Sequence, residues 1–242
     1  MLLMMLERGI PVDRVICVDT TKEFPAMYEH IEKVQTMIEP LKIEIVKIGF
    51  DYWFGERLLS KGERKGEKGF GWPDMRNRWC TQLKTDAFTS QLLQNGKTIS
   101  GWPSVKGQMK ANPTITQYIG IAFDERHRVQ TSKQKLRTVK TPLVEWGVTE
   151  KQALKYCYNI GLNWEGLYEK FHRVSCWCCP LSRIGELRVL YNDFPELWQE
   201  LIAMDKKSFR KFRPNYSVDD LSRKFFKGAS KKAYQASVLK GK

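Results

Sequence analysis

Long apolar runs are missing from this 242-residue chain. Nothing approaches the roughly 18–20 apolar residues that cross a bilayer, so a membrane-spanning protein is not among the readings. Met1–Leu6 is apolar, but it has no basic flank and meets Glu7 and Arg8 too early for a signal peptide. The cytosol is therefore the expected compartment, where clustered thiols more often bind metal or do redox work than form disulfides. An extracellular six-cysteine disulfide scaffold is the alternative. Acidic residues are also short, 27 Asp+Glu against 41 Lys+Arg, for a net charge of +14. That bias favours anionic partners (nucleotides, nucleic acid or an acidic protein surface) without choosing among them. Histidine is scarce: His30, His127 and His172 stand isolated and read as surface or supporting residues, not ligands. No cysteine follows Cys179. Apolar content is not short, since 42% hydrophobic and 12% aromatic residues suffice for a buried core and exclude wholesale disorder. The length allows one α/β domain and a smaller appendage.

What is present concentrates at Arg173–Leu181, which reads Arg-Val-Ser-Cys-Trp-Cys-Cys-Pro-Leu. Cys176, Cys178 and Cys179 fall within four residues and close on Pro180. Cys176 and Cys179 form a C-x-x-C pair, a spacing that lets two thiolates of one tight turn reach the same metal ion. Cys17, Cys80 and Cys157 are far apart in sequence, so distant segments must fold back if they complete a site. Cys17 lies inside an apolar run and reads as core.

Taken in order, the chain opens on a helical segment ending at Gly9, with no N-cap or run-up, and reads as a beginning cut short. Val15–Val18 suits a strand covered on both faces, with Asp19 and Thr20 at its carboxyl end. Pro25 opens a helix whose stripe is Met27, Ile31, Val34 and Ile38; Pro40 ends it and Ile43–Ile48 follows as a strand. Strand, helix and strand at this spacing predict a βαβ crossover and a parallel sheet, with function at the strands' carboxyl ends. From Phe50 to Trp79 the pattern dissolves, and Lys61–Gly71 reads as a mobile loop. Helix returns from about Trp79 to Leu93, with Cys80 and Lys84 on one side. A second Gly-Trp-Pro at Gly101–Pro103 echoes Gly71–Pro73 by coincidence. Strands are expected over Thr116–Ala122 and Thr138–Leu143. The capping box Thr149-Glu150-Lys151-Gln152 predicts a helix over Glu150–Asn159, with Cys157 in its last turn. Short amphipathic helices follow at Ile184–Tyr191 and Pro195–Met204. From Asp205 onward twelve Lys/Arg face three Asp, interleaved with aromatics. This tail is either solvated or an anion-binding element.

Several separated pieces now match one family. Val18-Asp19-Thr20 with Phe24-Pro25 and Tyr28, Trp79-Cys80 with Lys84, and Gly120-Ile121 with Asp124-Glu125 and Arg128 resemble segments of phosphoadenosine phosphosulfate (PAPS) reductase family proteins. Pro142-Leu143 with Glu145-Trp146, Gly166-Leu167-Tyr168 and Cys176–Pro180 are similar to the family's later segments, in the same order. The resemblance runs from about Asp19 to Leu181. It departs in three places. The family's Ser-Gly-Gly-Lys-Asp-Ser-type phosphate loop would lie before Met1, its C-terminal Glu-Cys-Gly nucleophile is missing, and its Gly-Ile-Arg reads Gly120-Ile121-Ala122, with Arg126 or Arg128 as replacements. A truncated beginning explains the first departure; a degenerate, non-catalytic paralogue is the alternative.

The resemblance implies an α/β fold of the nucleotide α-hydrolase type, a parallel sheet flanked by helices with a small helical cysteine-bearing region behind it. The expected segments are an adenine-nucleotide core over 1–148, a helical cysteine region over 149–204 and a basic tail over 205–242. It implies ATP or PAPS as substrate, with Asp19 and Thr20 at ribose or phosphate and Lys84, Arg126 and Arg128 neutralising charge beside Gly120, Asp124 and Glu125. Asp19 as a plain strand-end cap, and the cations as surface charge, are the bland readings. Relatives that hold a [4Fe–4S] cluster imply a quartet of Cys80, Cys157, Cys176 and Cys179, with Cys178 as alternate. Four thiolates suit Zn²⁺ equally, and Cys80 and Cys157 as buried hydrophobes is the rival reading. The implied function is sulfonucleotide reduction or ATP-dependent sulfur transfer. A zinc-stabilised basic nucleic-acid-binding module, using the tail, is the reading from a different class.

Overall fold

The computed structural model of the chain describes residues 1–92, 116–129 and 138–227. Gly101–Pro103, Leu93 and the tail beyond 227 lie outside these residues. The chain is α/β, with short parallel sheets flanked by helices. It divides into two interleaved units, the first made of 1–18, 26–46 and 86–165 and the second of 19–25, 47–85 and 166–242. Each unit is threaded from three separate stretches of the chain.

In the first unit α1 (Leu2–Glu7) leads to β1 (Val15–Asp19), and α2 (Pro25–Met37) crosses to β2 (Ile43–Lys47), the strand beside β1. Pro25 starts α2, where its missing N–H costs nothing. The last residues of both strands are counted with the second unit. There Ile48 N–H donates to the Asp19 carbonyl at 3.0 Å, so the strands' carboxyl ends coincide and the pair is parallel. A second parallel pair joins β3 (Thr116–Tyr118) to β4 (Thr138–Lys140) in the register Gln117 to Val139. The strand expected over Thr138–Leu143 stops at Lys140, because Pro142 opens a one-turn helix, α4 (Pro142–Glu145). Likewise β3 ends at Tyr118, well before Ala122. The capping box forms at α5 (Glu150–Asn159), with Thr149 Oγ1 accepting from Gln152 N–H at 3.3 Å.

The second unit is held by aromatic rings. Phe50, Trp53, Phe54, Trp72 and Trp79, in the stretch where the sequence shows no period, are all buried. Phe54 lies 4.6 Å from Trp72 and Trp72 lies 4.9 Å from Phe212, centroid to centroid, spacings at which aromatic pairs add about 0.5–1.5 kcal/mol each. Lys61–Gly71, expected to be a mobile loop, is tied to the residues before it by an antiparallel bridge between Lys68 and Leu58, with Leu59 N–H donating to the Glu67 carbonyl. Gly69 (φ +71°) is required there, since a Cβ would lie 2.2 Å from the Phe54 carbonyl oxygen.

Among the described residues this unit also holds α6 (Leu167–Lys170), α7 (Ile184–Asp193), α8 (Pro195–Lys207) and α9 over 218–227, together with the amino-terminal half of α3 (Trp79–Leu92). The basic stretch from Asp205 is thus not wholly solvated, because Phe212, Val218, Leu221 and Phe225 are buried, the last three at helical spacing. Asp205 ties the stretch down, accepting from Trp72 Nε1 at 2.8 Å and from Val218 N–H at 2.7 Å.

Candidate thiol site

β1 delivers Asp19 and Thr20 into a tight strap that ends at Phe24. Asp19 is buried and its Oδ1 accepts from Thr21 N–H at 2.6 Å. Thr20 is fully buried, and Thr21 takes φ +65°, an outlier for a β-branched residue that costs on the order of 1–3 kcal/mol. The strap is pinned at its far end by the Phe24 ring, 5.0 Å from Phe171 and 5.2 Å from Phe194. Lys22, nearly buried, donates to Glu200 at 2.6 Å, pairs with Asp51 at 3.1 Å and lies over the Trp177 ring. Its carbonyl accepts from Trp177 N–H at 3.0 Å. The strap and the cysteine turn are thereby fastened to each other inside one unit.

Glu23 is the hub. Its Oε1 accepts from Thr20 Oγ1 at 2.9 Å, from Cys176 Sγ at 3.4 Å and from Lys84 Nζ at 3.4 Å. Cys176 Sγ also lies 3.3 Å from Thr20 Oγ1 and 3.8 Å from Lys84 Nζ. Burial pushes the Cys176 thiol up to about 12; Lys84 opposes this and Glu23 reinforces it. At neutral pH Cys176 is therefore a thiol. Burial works to lower Lys84, but Cys176 and Glu23 outweigh it and hold the ammonium above its ordinary value. Cys80 is raised by burial and then by Cys179, with Lys84 opposing, and Cys178, fully enclosed, is raised well above a free thiol by burial. The turn itself closes through Cys179 N–H to the Cys176 carbonyl at 3.1 Å. The resulting set of thiol, carboxylate and ammonium can pass a proton and stabilise a thiolate.

Of the residues singled out in the sequence, the second unit holds Asp19, Thr20, Lys84, Cys80, Cys176, Cys178 and Cys179. The first unit holds Gly120, Asp124, Glu125, Arg126, Arg128 and Cys157. There Asp124 Oδ1 accepts from Glu150 N–H at the start of α5, Arg128 pairs with Glu125 at 2.6 Å, and Arg126 lies over Phe123. Cys157 is raised by burial and opposed by the Met1 amino group. Among the described residues no group of three or more His, Cys, Asp or Glu side chains is disposed to hold a metal ion. Sequence reasoning passed over Glu23, Lys22, Asp51 and Glu200. Glu23 had a signal, an acidic residue between a strand's carboxyl end and a helix-opening Phe-Pro, where α/β folds place ligand groups.

The phosphoadenosine phosphosulfate reductase domain family matches residues 1–182, and the chain belongs to that family. The uncharacterized protein MJ0066 of Methanocaldococcus jannaschii is 22% identical over 196 residues, covering 77% of this chain and 34% of that relative. The chain thus spans about a third of that relative's length. No solved structure matches. Among the described residues, no helix is long and apolar enough to cross a membrane.

Proposed function

We propose that the chain performs adenine-nucleotide-linked sulfur chemistry of the PAPS reductase type, with Cys176 as the thiol that meets the activated sulfur. One observation carries the reading: a half-buried thiol, a carboxylate and an ammonium converge within 3.8 Å at the carboxyl end of β1. Lys84 attracts the anionic sulfonate of a sulfonucleotide. The Cys176 proton passes to Glu23, and the thiolate attacks the sulfonate sulfur. An S–S bond forms, the S–O bond to the nucleotide phosphate breaks, and the nucleotide leaves with the electron pair. Cys176 is left as an S-sulfonate. Attack on its Sγ by the Cys179 thiolate would form a disulfide and release sulfite, and an external dithiol would then restore both thiols. Mass spectrometry after mixing the reduced protein with PAPS should find the sulfonate on Cys176 and free nucleotide in solution. Cys176→Ser should abolish the adduct and Lys84→Met should slow it. Untouched nucleotide, or an adduct on any other cysteine, overturns the reading.

A second reading has its own observation, the placement of Cys80, Cys176 and Cys179 in one unit with Cys179 contributing to the raised Cys80. These thiols, with Cys178 of the same unit as the alternate fourth ligand, would hold a [4Fe–4S] cluster or Zn²⁺. Iron, sulfide and zinc content of anaerobically purified protein tests it. Stoichiometric metal that is lost in Cys176→Ser and Cys179→Ser, yet kept in Cys17→Ser, would favour it over the thiol reading.

A further inference from the structure

A second feature of the same unit takes no part in the thiol chemistry. The Arg57 guanidinium lies 4.5 Å from the Trp53 ring centroid and 5.1 Å from that of Phe70. The Arg64 guanidinium lies 3.3 Å from the Phe209 centroid, and Arg210 lies 4.8 Å from the same ring. The backbone joins these stacks into one strip, since Gly69 N–H donates to the Arg57 carbonyl at 2.8 Å and Arg64 Nη1 donates to the Gly69 carbonyl at 3.2 Å. Gly71 lets the strip close, because a Cβ there would lie 2.5 Å from the Phe209 ring. Phe209 nevertheless keeps 47% of its surface open. Lys61, Lys65 and Lys68 are exposed on the adjoining stretch. The carboxylates that neutralise the strip are themselves exposed: Glu67 on Arg64 at 2.6 Å and Asp74 on Arg210 at 2.7 Å. Such solvent-screened surface pairs contribute little, so a polyanion can displace them.

We propose that this strip binds single-stranded nucleic acid. Planar guanidiniums hold phosphates through paired N–H donors. A base then stacks on Phe209 or on the guanidinium laid across it. Alternating cations and rings favour an unpaired strand over the two nearest competitors. A duplex hides its base faces, and an acidic polypeptide leaves the open ring unused. The proposal is independent of the sulfur chemistry, since binding needs no turnover.

The test is fluorescence anisotropy of the full chain with labelled single-stranded DNA and RNA, the matching duplex, and polyglutamate as competitor, over a range of salt. Single strands should bind with a salt slope of about −0.7 for each phosphate contacted. Arg64→Lys, which keeps charge but loses the planar stack, and Phe209→Ala should each weaken binding about 5- to 10-fold while leaving the slope unchanged. Replacing Arg57, Arg64 and Arg210 together with Gln should flatten the slope by about 2. Arg223→Gln with Lys227→Gln, two exposed charges on α9, should change affinity less than about twofold. Equal loss in that control, equal affinity for duplex, or an unaffected Arg64→Lys variant overturns the proposal. Displacement by polyglutamate at equal charge would assign the strip to an acidic polypeptide instead.

Discussion

Glu23→Gln removes one charge from the thiol site while keeping an oxygen for Thr20 and Lys84 to donate to. The carboxylate sits 3.4 Å from Cys176 Sγ. Coulomb's law at that distance gives about 5 kcal/mol at an effective dielectric near 20 and about 1 kcal/mol in bulk water. The Glu23 side chain is 17% exposed and Lys84 lies against the same oxygen, so an intermediate figure of about 2 kcal/mol, or about 1.5 pH units, is expected. Burial, the largest cause of the rise to about 12, remains, so the variant thiol still titrates above a free cysteine. Lys84→Met should move Cys176 the other way. The rate of Cys176 alkylation by iodoacetamide against pH, read by peptide mass spectrometry, gives both midpoints. A midpoint in Glu23→Gln that is unchanged or higher refutes the electrostatic account. The sign carries into stability. A thiol raised in the folded state stabilises fully below the unfolded thiol value of about 8.5, and that contribution is lost as pH rises through about 12. Glu23→Gln should therefore shrink the alkaline loss of stability.

Two further outcomes follow from the geometry. Glu44 is held at about 2, chiefly by its hydrogen bond from Arg14 and next by that from Gln91. Its stabilisation is present above the ordinary 4.5 and lost as pH falls through about 2. For this partly exposed pair we expect about 1 kcal/mol, seen in acid titrations as a smaller loss in Glu44→Gln than in wild type. Gly69→Ala should destabilise by about 2–4 kcal/mol in urea unfolding, because positive φ and the Phe54 carbonyl both oppose a Cβ. Gly62→Ala, at φ +81° with open space, should cost only about 1 kcal/mol, and equal effects at the two positions would contradict this account.

The elements legible in the sequence are those whose signals are local. Pro25 with a 3.6-residue apolar stripe marked α2, the Thr149 box marked α5 to the residue, and Pro195 marked α8. The stretch from Phe50 to Trp79 was opaque because its order is tertiary. Phe54 meets Trp72 and Trp72 meets Phe212, 140 positions on, and such ring contacts leave no period. The basic stretch misled for a different reason. Net charge masked the spacing of Val218, Leu221 and Phe225, which a helical reading of the apolar positions alone would have found. At the site, Thr20, Lys84 and Cys176 stood out as residue types and do meet. Glu23, which joins them, has the commonplace look of a surface acid until Phe24 is seen to anchor the strap.

The cysteine turn is anchored from two sides, by Trp177 N–H on the Lys22 carbonyl and by Arg213 on the Ser182 carbonyl at 2.6 Å. To ligate a metal, Cys176 would give up its contacts with Glu23 and Thr20. Those hydrogen bonds are worth about 1 kcal/mol net to Thr20 and about 1.5–3 kcal/mol to the Glu23 carboxylate, small beside the roughly 10–16 kcal/mol available from a structural zinc site. Contact energy therefore does not decide between thiol chemistry and metal binding; charge does. Glu23 beside Cys176 favours the protonated sulfur, whereas a metal requires the thiolate and adds the cation that would hold it. A metal-bound Cys176 resists alkylation across the pH range, while a thiol raised by burial and Glu23 reacts once pH nears its high midpoint. The same alkylation curve that measures the Glu23 effect thus also separates the two occupants of the site.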